Sequence, residues 1–116
     1  VLDMVGKGNE MHGRMLYNSY CATCHQRDGK GDNNRYPPLA GSPYLAGTKE
    51  QLIHIVLNGL KGKISVNGKT FDGIMPAHGA FLDDQSVASI VAYIKDRFNN
   101  EETSVTAEMV KKVRGK

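Results

Sequence analysis

Tryptophan is missing from this chain of 116 residues, and aromatic residues make up only 7% of it. Hydrophobic residues reach 40%, which is low for a single domain that fills its interior with its own side chains. A bound apolar group would supply the missing volume. Long apolar runs are missing too: the stretch from Ile53 to Leu57 is interrupted by His54, so no segment reads as a membrane span. Neither sign of charge dominates. The net charge is +3, and the lysines and arginines are scattered, which argues against a nucleic-acid role. The chain starts at Val1, not methionine, and shows no basic n-region followed by an apolar h-region. It reads as a chain whose signal peptide has been removed, or as an excised domain. Its length suits one domain with one core.

Cysteine is scarce as well, and both copies fall in Cys21-Ala22-Thr23-Cys24-His25. Two cysteines three apart with histidine directly after them form the attachment signature of c-type haem. Each thiol adds across one vinyl group of the porphyrin, so both sulfurs must lie along one edge of the macrocycle. The histidine then falls under the iron, where a neutral imidazole nitrogen binds it. A thioredoxin-like reading of the same pair needs a strand before the motif and a βαβ pattern around it. The residues before Cys21 look helical instead, and no strand–helix alternation follows. A structural zinc site needs about four ligands, and no second cluster completes the three found here. The implied cofactor is therefore one covalent haem c.

The rest of the chain alternates helical patterns with glycine-rich segments. Val1 to Gly8 is a lead-in. A helix is expected from Asn9, with Met11, Met15, Leu16 and Tyr20 at helical spacing and Gly13 in need of a packing reason. Residues 26–47 show no period, as a loop wrapped around a cofactor would. Its Gly29-Lys30-Gly31 lacks the flanking elements of a phosphate loop. Thr48 with Gln51 makes a capping box for a helix bearing Leu52, Ile53, Val56, Leu57 and Leu60. Ile64-Ser65-Val66 and Lys69-Thr70-Phe71 read as two tiny strands about Asn67-Gly68. After an irregular Gly73–Gly79 stretch, Asp83 and Asp84 open a strong helix with Val87, Ile90, Val91, Ile94 and Phe98 on its buried face. A short last helix is expected from Thr106, carrying Met109, Val110 and Val113.

Helix, CxxCH, glycine-rich loop, helix, methionine loop, helix: this order resembles the class I cytochromes c across residues 9–99. The resemblance implies an all-α cytochrome c fold with three main helices, long haem-wrapping loops and a small hairpin, after a lead-in at 1–8 and before an extension at 100–116. It implies that the Pro37 carbonyl, in Pro37-Pro38-Leu39-Ala40-Gly41, accepts the Nδ1 hydrogen of His25, and that Leu39 packs on the haem. It gives Gly13 and Tyr17 a crossing contact with Ile90 and Tyr93 of the last main helix. It makes Met75, in Gly73-Ile74-Met75-Pro76, the sixth ligand of the iron opposite His25. Thus Cys21, Cys24, His25, Pro37, Leu39 and Met75 are the implied haem-binding residues, His25 and Met75 the metal ligands. Met11, Met15 and Met109 are expected in the core, and His12, His54 and His78 at the surface or partly buried, with only His78, three residues past Met75, placed to compete for the iron. The implied function is electron transfer without catalysis, in the periplasm or another extracytoplasmic site. Asn58–Gly62 and residues 66–76 are similar to cytochrome modules that serve or are fused to bacterial oxidoreductases and oxidases, which implies a redox protein partner or host domain. The other function compatible with the haem motif is a haem enzyme or gas sensor with an open sixth position.

Overall fold

The structure, a computed structural model, describes residues 12–31, 36–66, 68–99 and 104–115, the side chains of Thr23 and Cys24 excepted. The expected start at Asn9, the lead-in and Met11 lie outside the described residues. Among the described residues, four helices and one antiparallel hairpin make up the regular structure. Helix α1 occupies residues 12–25, with a π-helical turn at Tyr17–Cys21 and a closing α-helical turn at Ala22–His25.

The π turn has a reason in the sequence. Gly13, Tyr17, Cys21 and His25 are all buried and stand four residues apart. An α-helix turns 100° per residue, so a strict spacing of four drifts by about 40° at each step. One wider turn brings the stripe back to a single face. Such turns occur often at functional sites. The buried stripe leaves other positions outside it: Met15 and Tyr20, expected on the buried face, are 64% and 42% exposed, Met15 standing roughly 200° around the helix from both Gly13 and Tyr17.

Helix α2 spans Lys49–Asn58 and carries the expected capping box. The Gln51 amide donates to Thr48 Oγ1 and the Thr48 amide to Gln51 Oε1, each at 3.2 Å. Strands β1 (Leu60–Val66) and β2 (Lys69–Met75) pair in register from Leu60↔Met75 to Val66↔Lys69. The hairpin is thus longer than the two tiny strands expected. Its outer half is built of Lys61, Gly62, Lys63, Asp72 and Gly73, which carry little strand propensity, so cross-strand pairing extends what local preference would end.

Helix α3 spans Asp84–Asn99, its start capped by Asp83 Oδ1, which accepts the Ser86 amide at 2.8 Å. Val87, Ile90, Val91, Ile94 and Phe98 are buried as the 3.6-residue period requires. Lys95 is buried among them, its Nζ donating to the Leu45 and Gly47 carbonyls at 2.9 and 3.0 Å. Those bonds tie the end of the long loop to α3. Helix α4 (Ala107–Arg114), capped by Thr106, buries Val110 against α2 and α3.

Gly13 sits where α1 crosses α3. A Cβ there would overlap the Ser89 carbonyl oxygen and come within 2.9 Å of Tyr93 Cβ. Tyr17 completes the crossing, its ring centroid 5.6 Å from that of Tyr93 and 5.3 Å from that of Phe98. No helix among the described residues is long and apolar enough to cross a membrane.

Candidate haem site

His25 ends α1, and the next residue turns the chain sharply. Gln26 adopts φ 67 and ψ 162, a region populated essentially by glycine. It is pinned there: its amide donates to the Ala22 carbonyl at 2.8 Å, and its carbonyl accepts the Tyr17 hydroxyl at 2.6 Å. Burial, then the neighbouring Cys21, Tyr93 and Asp28, push the Tyr17 hydroxyl's pKa up, so it stays protonated and donating. Beyond the turn, the Gly31 amide donates to the His25 carbonyl at 2.9 Å, and the Leu39 and Ala40 amides share the Gly29 carbonyl at 2.6 and 3.0 Å. This stitching folds the loop back over α1 and sets the Pro37 carbonyl 2.9 Å from His25 Nδ1.

A carbonyl oxygen only accepts, so His25 Nδ1 carries the hydrogen and Nε2 keeps its lone pair. Burial holds the imidazole pKa below 6.5, opposed in part by the bond to Pro37. At neutral pH the ring is therefore neutral and oriented, the state a metal requires.

The methionine side is positioned by a second set of backbone contacts. Met75 closes β2 opposite Leu60. The following turn lies against the end of α2, where the His78 and Gly79 amides donate to the Val56 and Leu57 carbonyls at 3.0 Å each. Gly59, at φ 76, permits that approach: a Cβ there would run into the Met75 carbonyl oxygen and come within 2.9 Å of the Ala77 amide nitrogen. Arg114 of α4 holds the other end of the segment. Its guanidinium donates to the Gly79 and Leu82 carbonyls at 2.6 and 2.9 Å and pairs with Asp84 at 2.8 Å.

Between these two sides lies a cavity of about 360 Å³, walled by Tyr20, Cys21, His25 and Pro37 and by the hairpin residues Leu60, Ile64, Phe71 and Met75. A smaller space of about 70 Å³ adjoins it, reaching Leu39, Leu45, Leu52, Ile90 and Ile94. Cys21, His25, Pro37, Leu60, Ile64 and Met75 border both. Of the residues implied by the motif and the family resemblance, Cys21, His25, Pro37, Leu39 and Met75 are thus brought to one apolar slot. The side chain of Cys24 lies outside the described residues. An imidazole with a free Nε2, a thioether and a thiol around an apolar space form a donor set that fits a covalent haem.

His78 lies deeper than the surface or partly buried position expected for it. It is 7% exposed, not a surface residue, and its Nδ1 is enclosed with no hydrogen-bond partner among the described residues. Its ring borders the cavity and packs with Phe81 at 5.3 Å and Tyr20 at 6.2 Å. Sequence reasoning also missed Leu60, Ile64 and Phe71 as cavity walls. Their signal was the two-residue alternation through Leu60, Gly62, Ile64 and Val66 and through Phe71, Gly73 and Met75.

Residues 8–94 match the family model described as cytochrome c oxidase, cbb3-type, subunit III. The chain is 37% identical over 113 residues to cytochrome c-552 of Thermus thermophilus, covering 90% of this chain and 85% of that protein. It is 35% identical over 112 residues to the fructose dehydrogenase cytochrome subunit of Gluconobacter japonicus, covering 88% of this chain and 22% of that protein. It is 38% identical over 114 residues to the gluconate 2-dehydrogenase cytochrome c subunit of Pantoea cypripedii, covering 93% of this chain and 25% of that protein. It therefore aligns with most of a small cytochrome and about a quarter of each dehydrogenase subunit. Together with the CxxCH turn and the slot above it, these matches show that the chain belongs to the cytochrome c family, as a module that transfers electrons through covalently bound haem c.

Proposed function

We propose that the chain carries a single haem c, attached through Cys21 and Cys24, with His25 and Met75 as the side chains that would hold its iron. The observation that carries this reading is the meeting of His25, Met75 and Cys21 on one apolar cavity, with His25 Nδ1 already committed to Pro37. When bound, the haem supplies one-electron chemistry between ferric and ferrous iron. The protein's part is to hold the two ligand side chains where they are. Tyr17, Gln26 and Pro37 fix His25 from one side. The α2 carbonyls and Arg114 fix the methionine segment from the other. A rigid ligand set keeps reorganisation small on electron transfer, and a soft thioether favours ferrous iron, which raises the reduction potential. Leu39 supplies apolar packing beside the slot.

On this reading residues 9–99 form the haem-binding unit, all-α in class, with α1, α2 and α3 as the three main helices of a cytochrome c fold. Residues 100–116 are an extension whose Arg114 steadies the methionine segment. The partner is a redox protein or a host domain of a larger oxidoreductase or oxidase, in keeping with the dehydrogenase cytochrome subunits among the relatives. Because covalent haem attachment takes place outside the cytoplasm, the site of action is periplasmic.

A visible spectrum tests the ligand set. The ferric protein should show the weak red band of sulfur-ligated iron, and the ferrous protein should not react with carbon monoxide. A protein that lacks the band and binds carbon monoxide at once would instead be a haem enzyme or gas sensor with an open sixth position.

A further inference from the structure

The inner face of the hairpin presents side chains in cross-strand pairs, Leu60 with Met75 and Ile64 with Phe71, all bordering the cavity. Between those two pairs stand Gly62 and Gly73, directly opposite each other and also bordering the cavity. Glycine inside a strand loses packing and costs more backbone entropy than other residues. Gly62 has a backbone reason, since its φ is 95. Gly73 has none: its φ is not positive, and a Cβ built on it meets no atom of the polypeptide within 4 Å. Neither its conformation nor a neighbouring chain segment demands glycine.

The space in front of the pair is where a cofactor would lie. Gly73 is two residues from Met75 on the same face of β2, about 7 Å along the strand. A flat macrocycle whose centre is held by the Met75 sulfur must spread along the inner face of the hairpin. A side chain at 73 or 62 would project into that plane. Glycine at a strand interior is also where a ligand approaches the backbone closely.

We propose that the Gly62–Gly73 pair is a backbone-walled seat for the haem macrocycle on its methionine side, which makes Gly73 a cofactor-binding position. This seat presupposes Met75 ligation as read above. Gly73 is the residue to perturb, because substitution at Gly62 is strained whatever lies in front of it.

Valine at 73 separates two outcomes of opposite sign. If the notch holds no cofactor, Gly73→Val adds a β-branched residue to a strand and should raise the melting temperature while leaving the spectrum unchanged. If the notch seats the macrocycle, Gly73→Val in the holoprotein should lose the red sulfur band and let carbon monoxide bind ferrous iron. Lys63→Val, on the exposed outer face, should leave the band intact in either case. Should Gly73→Val yield no holoprotein, Gly73→Ala decides. A weakened band and measurable carbon monoxide binding support the seat, and an unaltered spectrum overturns it. Met75→Ala keeps the two claims apart. If Met75→Ala abolishes the band while Gly73→Val preserves it, the ligand reading stands and the seat falls. If Met75→Ala preserves the band, the ligand reading itself falls and takes the seat with it.

Discussion

Gly13→Ala is the substitution on which local preference and packing disagree most sharply. Residue 13 lies inside α1, where alanine is favoured over glycine by about 1 kcal/mol. Propensity alone therefore predicts a more stable protein. The structure predicts the reverse, because the added methyl would overlap the Ser89 carbonyl oxygen and stand 2.9 Å from Tyr93 Cβ and 3.0 Å from the Ser89 carbonyl carbon. The Ser89 carbonyl is α3 backbone and Tyr93 Cβ is fixed directly to it, so neither can rotate away and α1 and α3 must move apart. Overpacking of this kind costs about 1–3 kcal/mol, and the upper end applies where the obstacle is main chain. Separation also loosens Tyr17, which is fully buried and packed at a tilt against Tyr93 and Phe98. Subtracting the propensity gain leaves a net loss of about 1–2 kcal/mol. At about 4 °C per kcal/mol for a domain of this size, the melting temperature should fall by ~4–8 °C. Thermal and urea unfolding of the holoprotein, followed by circular dichroism, measure the change. A rise in melting temperature would show that the helices do not meet at Gly13 as described.

Gln26→Gly should stabilise the protein by about 0.5–2 kcal/mol, since it releases about 1–3 kcal/mol of backbone strain at the cost of glycine's extra entropy; a lower urea midpoint would contradict this. The Asp83 carboxyl is held below 3.8 by hydrogen bonds from the Ser86 hydroxyl and amide. Its stabilisation is fully present above pH 3.8 and is lost as pH falls through the depressed value. Asp83→Asn, which keeps a capping oxygen, should therefore flatten the acid limb of the stability–pH curve, and an unchanged limb would count against the cap. Arg114→Ala removes two hydrogen bonds to carbonyls and a half-exposed ion pair, for a loss of about 1–2 kcal/mol. It should also speed carbon monoxide binding to ferrous iron by loosening the methionine segment, and an unchanged rate would detach α4 from that role.

What could be read in advance follows from how local each signal is. Helices α2 and α3 announce themselves through Thr48 with Gln51 and through the run from Val87 to Phe98, because caps and a 3.6-residue period act within a few turns. The crossing at Gly13 and Tyr17 was legible only through family resemblance, since nothing near Gly13 in sequence says what approaches it. On α1 the expectation for Met15 conflicts with the Gly13 and Tyr17 crossing, because Met15 stands two residues, roughly 200° of helix, from both and so faces away from α3. The hairpin was shortened for a different reason. Gly62 and Gly73 break the hydrophobic alternation at the point where the polypeptide leaves room. The full burial of His78 is not legible in advance, because an isolated histidine in an irregular segment carries no periodic signal of burial.

On the reading proposed above, Met75, which borders the slot, is the methionine that would ligate the iron together with His25. Redox potentiometry with optical detection, run on the holoprotein beside Met75→Ala and Met15→Ala, tests it most directly. Met75→Ala should keep the covalent haem, lose the red band, and lower the reduction potential by at least about 59 mV, a tenfold shift in preference for ferrous iron. Met15, 64% exposed on α1, should change neither when replaced. An unchanged band and potential in Met75→Ala, or their loss in Met15→Ala alone, would contradict the account.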